Sequence, residues 1–493
     1  MMKRTTISFF LVCIFLFTFL WWNGQKGLDP DFGWHLRMGQ LILTSGVPSH
    51  DPFSYTMSYY PFVDHEWITN IAIALLYPVF GLSGLTVLAI SIAFAAILLQ
   101  TIFLKKQWLV IPLLLAGTAF SGYLGIRPQV LSWLFVLLLL LVFLHEKLWR
   151  VGRFLLPILM LVWVNMHGSF ALGVMLIGLV VGIKQFQAKK ILIVDWVVSL
   201  ATIATTFFTP YWWRGWWEVW MQMSDTGLRW SIQEWMPAIC FFNMSFMLLL
   251  PLSVLLVIRY RKRFSLIEVV LYTVLLLMGL SSARHLPFWL LLSLSMTTKA
   301  ISYFAADVQK NAFGRERFPK AYAFLLGAVG VIVVGQLVLS FVLRASNQIA
   351  AYPNQAVHFL KTHPSAGNLL ATYDMGGYLL WQYPQKKVFI DGRMPSWRAS
   401  EAPVGQSTNA FLEYNKVFGE AKSTLAILRK YHIDTVIFSR IEEPRYVITL
   451  SRTLRKFGLL FPDMEEFKKE LQKEHFKLVY KDKSFVIYRK EGL

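Results

Sequence analysis

Runs of apolar residues long enough to cross a bilayer recur through the first 343 residues of this 493-residue chain. A membrane-spanning helix needs roughly 20 consecutive apolar residues, because lipid offers the backbone no hydrogen-bond partners. Charged residues make up 15% of the chain and hydrophobic residues 56%. A soluble domain carries about 25% charged residues. The sequence therefore predicts an α-helical polytopic membrane domain.

Eleven membrane spans are predicted from these runs. They are Ile7–Trp22, Leu82–Leu104, Trp108–Ile126, Gln129–Leu144, Phe154–Met166, Phe170–Phe186, Ile191–Phe208, Phe241–Ile258, Leu266–Leu280, Leu286–Thr298 and Ala321–Leu343. One further apolar stretch, Trp67–Phe80, is shorter than a bilayer is thick and is predicted to be a helix lying on the membrane surface.

Basic residues predict the direction in which the chain is inserted. Nineteen Lys and Arg residues fall in loops that this map places in the cytoplasm. Six fall in the outer loops, namely Lys26, Arg37, Arg127, Arg214, Arg229 and Arg284. Because cytoplasmic loops carry the excess of positive charge, the N-terminus is predicted to lie inside a plasma membrane and the segment after Leu343 outside. The net charge of +20 thus reflects membrane topology, and no nucleic-acid partner is predicted.

The composition becomes that of a soluble domain from residue 344 onward. Strands are predicted at Asn368–Tyr373, Lys387–Ile390, Thr435–Ser439, Phe476–Tyr480 and Phe485–Arg489, and a helix at Ala421–Tyr431. We therefore expect residues 1–343 to form the transmembrane domain, with a first outer loop at 23–81, and residues 344–493 to form an extracytoplasmic α/β domain. The two cysteines, Cys13 and Cys240, predict neither a disulfide framework nor a thiolate metal site.

Acidic groups collect on the predicted outer side. Eight acids fall there, namely Asp29, Asp31, Asp51, Asp64, Glu66, Glu218, Asp225 and Glu234. Asp29 and Asp31 lie beside Phe32 and Trp34, and carboxylates next to apolar surface are suited to acid–base work. Either could act as a general base, or both could hold a divalent cation, Mg or Mn, through oxygen ligands. A solvated loop is the structural alternative.

A second acidic group, Asp64-His65-Glu66, ends the same loop. His65 and Glu66 are further candidate catalytic residues. Asp64 also suits the N-cap of the surface helix that starts near Trp67, and the two roles are compatible.

Cationic groups are predicted at the outer ends of later spans. Arg127, Arg284, His285 and His167 are candidates for binding a phosphate, since a guanidinium group binds phosphate oxygens in a bidentate way. The alternatives are an interface anchor for Arg127 and a capped turn for His167. The aromatic stretch Tyr211–Trp217 is typical of an interfacial belt.

Two turns of the C-terminal domain are candidates for binding an acceptor. Tyr373, Asp374 and Tyr378 surround the twin glycines Gly376-Gly377, and Asp391 and Arg393 follow the strand predicted at Lys387–Ile390. Glycines allow tight turns and close backbone approach, so purely structural turns are the alternative.

The layout resembles the GT-C superfamily of polytopic glycosyltransferases. The shared pattern is a first helix, then an outer loop that opens with acids, here Asp29-Pro30-Asp31, and ends with a histidine turn, here His65-Glu66-Trp67. Protein O-mannosyltransferases and lipid A-modifying transferases carry a His-Pro-Pro turn at that place. Oligosaccharyltransferase catalytic subunits carry a Trp-Trp-Asp-Tyr-Gly motif, to which Tyr373–Tyr378 is similar without the tryptophans.

This resemblance implies an inverting transfer of a sugar from a polyprenyl-phosphate-linked donor to a glycan, lipid or protein acceptor outside the membrane. Asp31 or Asp29 would deprotonate the acceptor, and Arg284, His285 and Arg127 would neutralise the leaving phosphate. Three alternatives are open: a ligase that moves a preassembled glycan, a transporter of a lipid-linked substrate, and a non-catalytic assembly factor.

Overall fold

The computed structural model of the chain describes residues 2–25, 27–225, 227, 232–241, 243–310, 312–343, 352–419, 421–440 and 464–491. The chain divides into two compact units. We call Met1–Gly27 with Val79–Asn347 the helical unit, and Leu28–Pro78 with Gln348–Leu493 the α/β unit. Two of the six cations in predicted outer loops, Lys26 and Arg229, lie outside the described residues.

Fourteen helices are described up to residue 343. They are α1 (Met2–Gly24), α2 (Phe32–Ser45), α3 (Trp67–Leu99), α4 (Val110–Ala119), α5 (Gln129–Leu144), α6 (Glu146–Gly152), α7 (Leu156–Met166), α8 (Phe170–Ala188), α9 (Ile193–Thr205), α10 (Arg214–Ser224), α11 (Met244–Arg259), α12 (Leu266–Ser281), α13 (Leu286–Val308) and α14 (Ala312–Leu343).

The helices of the helical unit have the apolar composition expected of membrane spans. Among the described residues, four stretches are long and apolar enough to cross a membrane: Trp67–Leu99, Glu146–Met166, Phe170–Ala188 and Gly314–Val342. Six shorter apolar helices accompany them. The span predicted at Gln129–Leu144 coincides with α5. The fully buried Trp133, Trp163 and Trp289 lie in the core of this unit.

The stretch Trp67–Phe80 is the first part of α3, which continues to Leu99. Gly81 has a φ of 59°, a left-handed conformation that interrupts the helix and that glycine adopts without a steric penalty. The boundary between the two units falls just before this point, after Pro78.

The described part of the α/β unit contains five further helices and a four-stranded sheet. The helices are α15 (Asn354–Thr362), α16 (Gly376–Gln382), α17 (Ala410–Gly419), α18 (Ala421–Lys430) and α19 (Met464–Lys473), and the strands are β1 (Asn368–Ala371), β2 (Ile433–Ser439), β3 (Phe476–Lys481) and β4 (Phe485–Lys490). The order is β1-β2-β4-β3, with β1 and β2 parallel and the other pairs antiparallel. The mostly buried β2 is central and the exposed β3 is an edge strand.

A mostly helical chain with a small C-terminal sheet was the fold class expected from the sequence, and it is confirmed. One strand prediction is wrong. Lys387–Ile390 is not a strand of the sheet, because Val388 forms an isolated bridge with Ser54 instead. The Val388 N–H donates to the Phe53 carbonyl at 3.0 Å, and the Val388 carbonyl accepts from the Tyr55 N–H at 3.1 Å.

The hydrogen bonds between Val388 and the first loop also account for a second difference, which concerns where the two units divide the chain. The first loop was grouped with the membrane spans, whereas residues 28–78 pack with the C-terminal segment in the α/β unit. The Thr56 hydroxyl, for example, donates to the Phe389 carbonyl at 2.6 Å. Partners separated by more than 300 residues leave no periodic signal in the sequence.

Candidate active site

The acidic turn, Asp29–Gly33, opens the α/β unit and leads into α2. One Asp29 carboxylate oxygen, Oδ1, accepts the Asp31 N–H at 2.9 Å, and the Asp29 carbonyl accepts the Phe32 N–H at 3.1 Å. Asp31 precedes the first residue of α2, but its side chain makes no capping hydrogen bond to that helix. Asp29 is buried and Asp31 is half-buried. Asp29 therefore stabilises the turn, whereas the Asp31 side chain does not cap α2.

Asp31 lies against a glycine of the C-terminal segment. A Cβ atom added to Gly392 would fall 1.7 Å from Asp31 Oδ1. The same close approach recurs beside it, since a Cβ on Gly377 would meet the Pro30 carbonyl oxygen at 2.1 Å, and one on Gly33 would meet the Gly377 carbonyl oxygen at 1.8 Å. Only glycine permits backbones to approach this closely. Three glycines therefore set where the acidic turn and the Asp31 carboxylate lie.

The residues on either side of Gly392 form a buried ion network with Asp51. The Arg393 guanidinium donates to Asp391 at 2.8 Å and 2.6 Å and to Asp51 Oδ1 at 2.8 Å. Burial alone would lower the pKa of Arg393, but Asp391 and Asp51 raise it well above its usual value, so the guanidinium stays charged. Four aromatic rings surround it, those of Trp34, Phe53, Phe62 and Trp397.

Asp391 and Arg393 were predicted to contact an acceptor. Their side chains are 0% and 2% exposed, and each uses its charge on the other and on Asp51 or the backbone. This placement favours a different role, which is to hold Gly392 against the acidic turn. Asp51 was recognised from the sequence only as one of eight outer acids, because its partner Arg393 lies 342 residues away.

The second acidic group forms a hydrogen-bonded chain with His35. The Asn70 side-chain amide donates to Asp64 Oδ1 and Oδ2 at 3.0 Å and 2.8 Å, and its Oδ1 atom pairs with His35 Nδ1 at 2.7 Å. An amide oxygen only accepts, so the proton of that contact belongs to His35 Nδ1. Asp64 also accepts the Glu66 N–H at 3.0 Å, as expected of a cap near the start of α3.

Glu66 lies close to both histidines of this group, His35 and His65. Its carboxylate lies 3.5 Å from His35 Nδ1 and 3.7 Å from His65 Nε2. Burial raises the pKa of Asp64 to about 6, although the hydrogen bonds from Asn70 and Glu66 lower it. The predicted residues His65 and Glu66 thus belong to one cluster with His35 and Asp64. Asn70 was missed, because an amide in an apolar helix carries no distinctive sequence signal.

The predicted acceptor turn is partly exposed. Asp374 is exposed, Tyr373 is half-buried, and the Tyr373 N–H donates to the Tyr414 hydroxyl at 2.9 Å. Tyr378 is buried, and burial raises its pKa to about 12. The Tyr378 hydroxyl donates to the side-chain oxygen of Asn354 on α15.

The phosphate candidates lie in the helical unit, around the start of α5. Arg127 Nη1 donates to Glu234 Oε1 at 2.7 Å, and the Arg284 guanidinium stacks 4.5 Å from the centre of the Trp235 ring. The Gln129 side chain donates to the Arg284 carbonyl at 3.1 Å. Desolvation alone would raise the pKa of Glu234, but Arg127 and Arg284 outweigh it and the pKa is lowered. Glu234 is therefore ionised beside two guanidinium groups.

His285 and His167 lie in two turns of the same unit. The His285 ring lies 6.2 Å from the Trp235 ring, edge to face. His167 Nδ1 lies 2.8 Å from both Ser132 Oγ and Ser169 Oγ and accepts the Ser169 N–H at 3.2 Å. Because a backbone N–H only donates, Nδ1 is unprotonated and the ring proton is on Nε2. Ser132 lies one turn into α5, so α5 connects His167 with Arg127 and Arg284.

The acidic turn was also predicted to hold a divalent cation on Asp29 and Asp31. Within the residues that the structure describes, no group of three or more His, Cys, Asp or Glu side chains could hold a metal ion. Mg²⁺ and Mn²⁺ favour octahedral oxygen sites, and one oxygen of Asp29 already accepts the Asp31 N–H. A divalent cation on Asp29 and Asp31 stays a prediction, and no catalytic step is assigned to it below.

Comparisons with known proteins identify similar solved structures. An archaeal oligosaccharyltransferase, AglB from Archaeoglobus fulgidus, in complex with an inhibitory peptide and a dolichol-phosphate, superposes with a TM-score of 0.57 at 12% identity, over 98% of this chain and 74% of that one. A second structure of that enzyme, with Zn and sulfate, gives 0.52 at 12% identity, over 97% and 73%. ArnT from Cupriavidus metallidurans gives 0.51 at 13% identity, over 98% of both chains.

No protein-family model matches the chain, and no curated protein matches it by sequence. At 11–13% identity, the structural likeness concerns the fold. It extends over almost the whole chain and includes both the membrane helices and the C-terminal sheet. The resemblance noted from the sequence is confirmed at this level: the chain shares the fold of the AglB and ArnT structures.

Proposed function

We propose that this protein is an integral membrane glycosyltransferase that transfers a sugar, with inversion, from a polyprenyl-phosphate-linked donor to an acceptor outside the plasma membrane. The observation that carries the proposal is the gathering of Arg127 and Arg284 around Glu234 at the start of α5. Two guanidinium groups beside a helix N-terminus suit a phosphate. The dolichol-phosphate in the AglB complex supports this choice of donor.

A phosphate that binds to this cluster competes with the Glu234 carboxylate for Arg127. Glu234 is half-exposed and holds Arg127 in place while no anion is bound. A donor phosphate would take over one or both guanidinium groups, and the Nε2 proton of His167 could add a further hydrogen bond. These groups stabilise negative charge where it builds up on the leaving phosphate, which is usually the largest catalytic contribution.

Asp31 is proposed as the general base. Its carboxylate lies against Gly392 and makes no capping hydrogen bond to α2. The acceptor oxygen or nitrogen attacks the anomeric carbon, its proton passes to Asp31, and the bond from that carbon to the phosphate oxygen breaks with both electrons staying on the phosphate. Attack opposite the leaving group inverts the anomeric configuration. Asp29 shapes the turn that presents Asp31.

His65 and Glu66 are proposed to support this step from the cluster that they form with His35 and Asp64. The four titratable groups form a continuous chain through Asn70. Such a chain can fix the protonation states of its members when the acidic turn changes charge. We assign it a positional role, as the support of the helix that follows the acidic turn.

The test uses the full chain purified in lipid nanodiscs with radiolabelled polyprenyl-phosphate sugars. Release of sugar to water without an acceptor, and transfer to a membrane extract, are measured separately. We expect wild type to consume at least one donor, and Asp31→Asn and Asp29→Asn to fold normally but lose transfer. Asp307→Asn, which changes a half-buried aspartate paired with Arg263, is the matched control.

If no lipid-linked sugar is consumed, the glycosyltransferase proposal fails. If both acidic-turn variants transfer at the wild-type rate, the assignment of the base fails while the donor assignment stands. A variant that loses transfer but also unfolds at lower temperature than Asp307→Asn would not count as support.

A further inference from the structure

An open groove lies between α15 and the edge strand β3 of the α/β unit. Its volume is about 460 Å³. Six side chains line it, those of Asn354, Gln355, His358, Phe359, Thr362 and Tyr480. No candidate residue discussed from the sequence lies in it.

One wall of the groove is aromatic and held in place. The Phe359 and Tyr480 rings lie 5.1 Å apart, and His363 stacks on Phe359 at 4.4 Å. The Tyr480 hydroxyl donates to Asp482 Oδ2 at 2.9 Å. Asp482 Oδ1 also accepts the backbone N–H groups of the tight turn between β3 and β4, both at 2.7 Å. The tyrosine ring is therefore fixed by the turn that follows it.

The rest of the groove is polar, and its described lining residues include no carboxylate, ammonium or guanidinium group. Gln355 offers an amide donor and acceptor, and His358 offers an imidazole. The Thr362 hydroxyl donates to the Phe359 carbonyl at 3.0 Å, so its oxygen can accept.

This chemistry fits a neutral saccharide. The CH groups on one face of a sugar ring pack against an aromatic ring, and its hydroxyls exchange hydrogen bonds with amides. Ligand pockets in proteins commonly combine apolar walls with a few oriented polar groups, and this groove has the same combination. An anionic or cationic ligand would find no opposite charge among the lining residues.

The groove is joined to the acidic turn by a short series of contacts inside the α/β unit. Asn354 on its rim accepts the Tyr378 hydroxyl. Tyr378 directly follows Gly377, whose Cα approaches the Pro30 carbonyl so closely that a Cβ would lie 2.1 Å from it. A ligand in the groove is thus connected with the turn that holds Asp31.

We propose that this groove is a subsite for a neutral, hydroxyl-rich saccharide portion of the acceptor. The inference rests on the proposed function, since it names the class of acceptor for that reaction. It also moves acceptor recognition from the buried Asp391 and Arg393 to an accessible surface of the same unit.

The experiment measures binding and turnover on the same nanodisc preparation. Maltohexaose, cellohexaose and chitohexaose are the probes, and saturation-transfer difference NMR reports their binding without any donor. We expect at least one probe to bind wild type, and Tyr480→Ala and Gln355→Ala to weaken that binding at least 10-fold. Lys361→Ala, an exposed position of α15 outside the groove, is the matched control.

Turnover separates this inference from the function on which it rests. In Lys361→Ala, release of sugar from the donor to water and the KM for the bound saccharide as acceptor should both be unchanged, whereas Gln355→Ala should raise that KM at least 10-fold. If donor is hydrolysed but no probe binds, or binding persists in both variants, the groove assignment is overturned and the transferase proposal stands. If probes bind but wild type hydrolyses no donor, the acceptor role fails together with the transferase proposal.

Discussion

The Asp31 carboxylate is seated directly on the backbone of Gly392, with 1.7 Å between Oδ1 and the place that a Cβ atom would take. The two residues are far apart in the chain and lie in segments that were expected to belong to different domains. Gly392 itself is flanked by the two partners of a buried ion pair, Asp391 and Arg393. The position of the proposed base is thus set by an internal structure of the α/β unit.

The first prediction concerns this contact. Gly392→Ala should displace the Asp31 carboxylate by about the radius of a methyl group, and a misplacement near 1 Å can cost about 100-fold in rate. We expect donor consumption to fall by that order while the unfolding temperature changes little. Gly27→Ala, where an added Cβ meets nothing within 4 Å, is the matched control. Full activity of Gly392→Ala would show that Asp31 need not be held there.

The second prediction concerns the ion network itself. Arg393→Met leaves Asp51 and Asp391 buried without a counter-charge, and breaking a buried pair in this way costs about 3–5 kcal/mol in the free energy of unfolding. We expect a clearly lower unfolding temperature and faster proteolysis of the α/β unit. Combining Arg393→Met with Asp51→Asn and Asp391→Asn should recover most of the loss, because no charge is then buried. A single variant as stable as wild type would contradict the network's role.

Much of the local structure could be predicted from the sequence because local patterns specify it. The apolar run Gln129–Leu144 is a helix with those bounds, and Phe476–Lys481 and Phe485–Lys490 form the predicted hairpin around Asp482. The stretch predicted as a strand at Lys387–Ile390 ends in three buried apolar residues, but it pairs with the first loop and not with the sheet. An apolar pattern indicates that a segment is buried, but not which partner buries it.

The site could be predicted only in part. Asp29 and Asp31 were recognised because a carboxylate beside aromatic residues is unusual, and Arg127 and Arg284 because cations are rare in the outer loops. Gly392 was not among the candidates, although Asp391 and Arg393 on either side of it were. Its importance depends on a contact 361 positions away in the chain, and nothing local in the sequence reports such a contact.

The third prediction concerns pH. Burial raises the pKa of Asp64 to about 6 from an ordinary value of 3.8, so the folded protein binds more protons than the unfolded chain between these values. Stability should therefore fall as pH rises from about 4 to about 6, by about 2 kcal/mol for this group. Thermal unfolding of wild type and Asp64→Asn across pH 4–8 isolates the effect. We expect the difference between them to change over this interval, and a constant difference would contradict the raised pKa.

The fourth prediction concerns the phosphate cluster. Arg284→Ala removes a cation that stabilises the leaving phosphate, and loss of one such contact costs about 100-fold in turnover. Arg127→Ala should also lower turnover. Arg214→Ala, which removes an exposed cation from α10, should leave the rate unchanged. Equal rates for Arg284→Ala and Arg214→Ala would place the donor phosphate elsewhere.

Removing the charge of Glu234 is the most stringent test of this cluster. Its effect on phosphate binding should be opposite to that of removing Arg284 or Arg127. The Glu234 carboxylate is ionised and occupies Arg127, so it competes with the phosphate for the same guanidinium group. Glu234→Gln keeps an oxygen that can accept from Arg127 but removes the negative charge. We therefore expect polyprenyl phosphate to bind this variant more tightly than wild type, and its binding to weaken more steeply with added salt. Binding is measured in nanodiscs by displacement of a fluorescent polyprenyl phosphate. Weaker binding by Glu234→Gln would mean that the carboxylate positions Arg127 for the donor and does not compete with it.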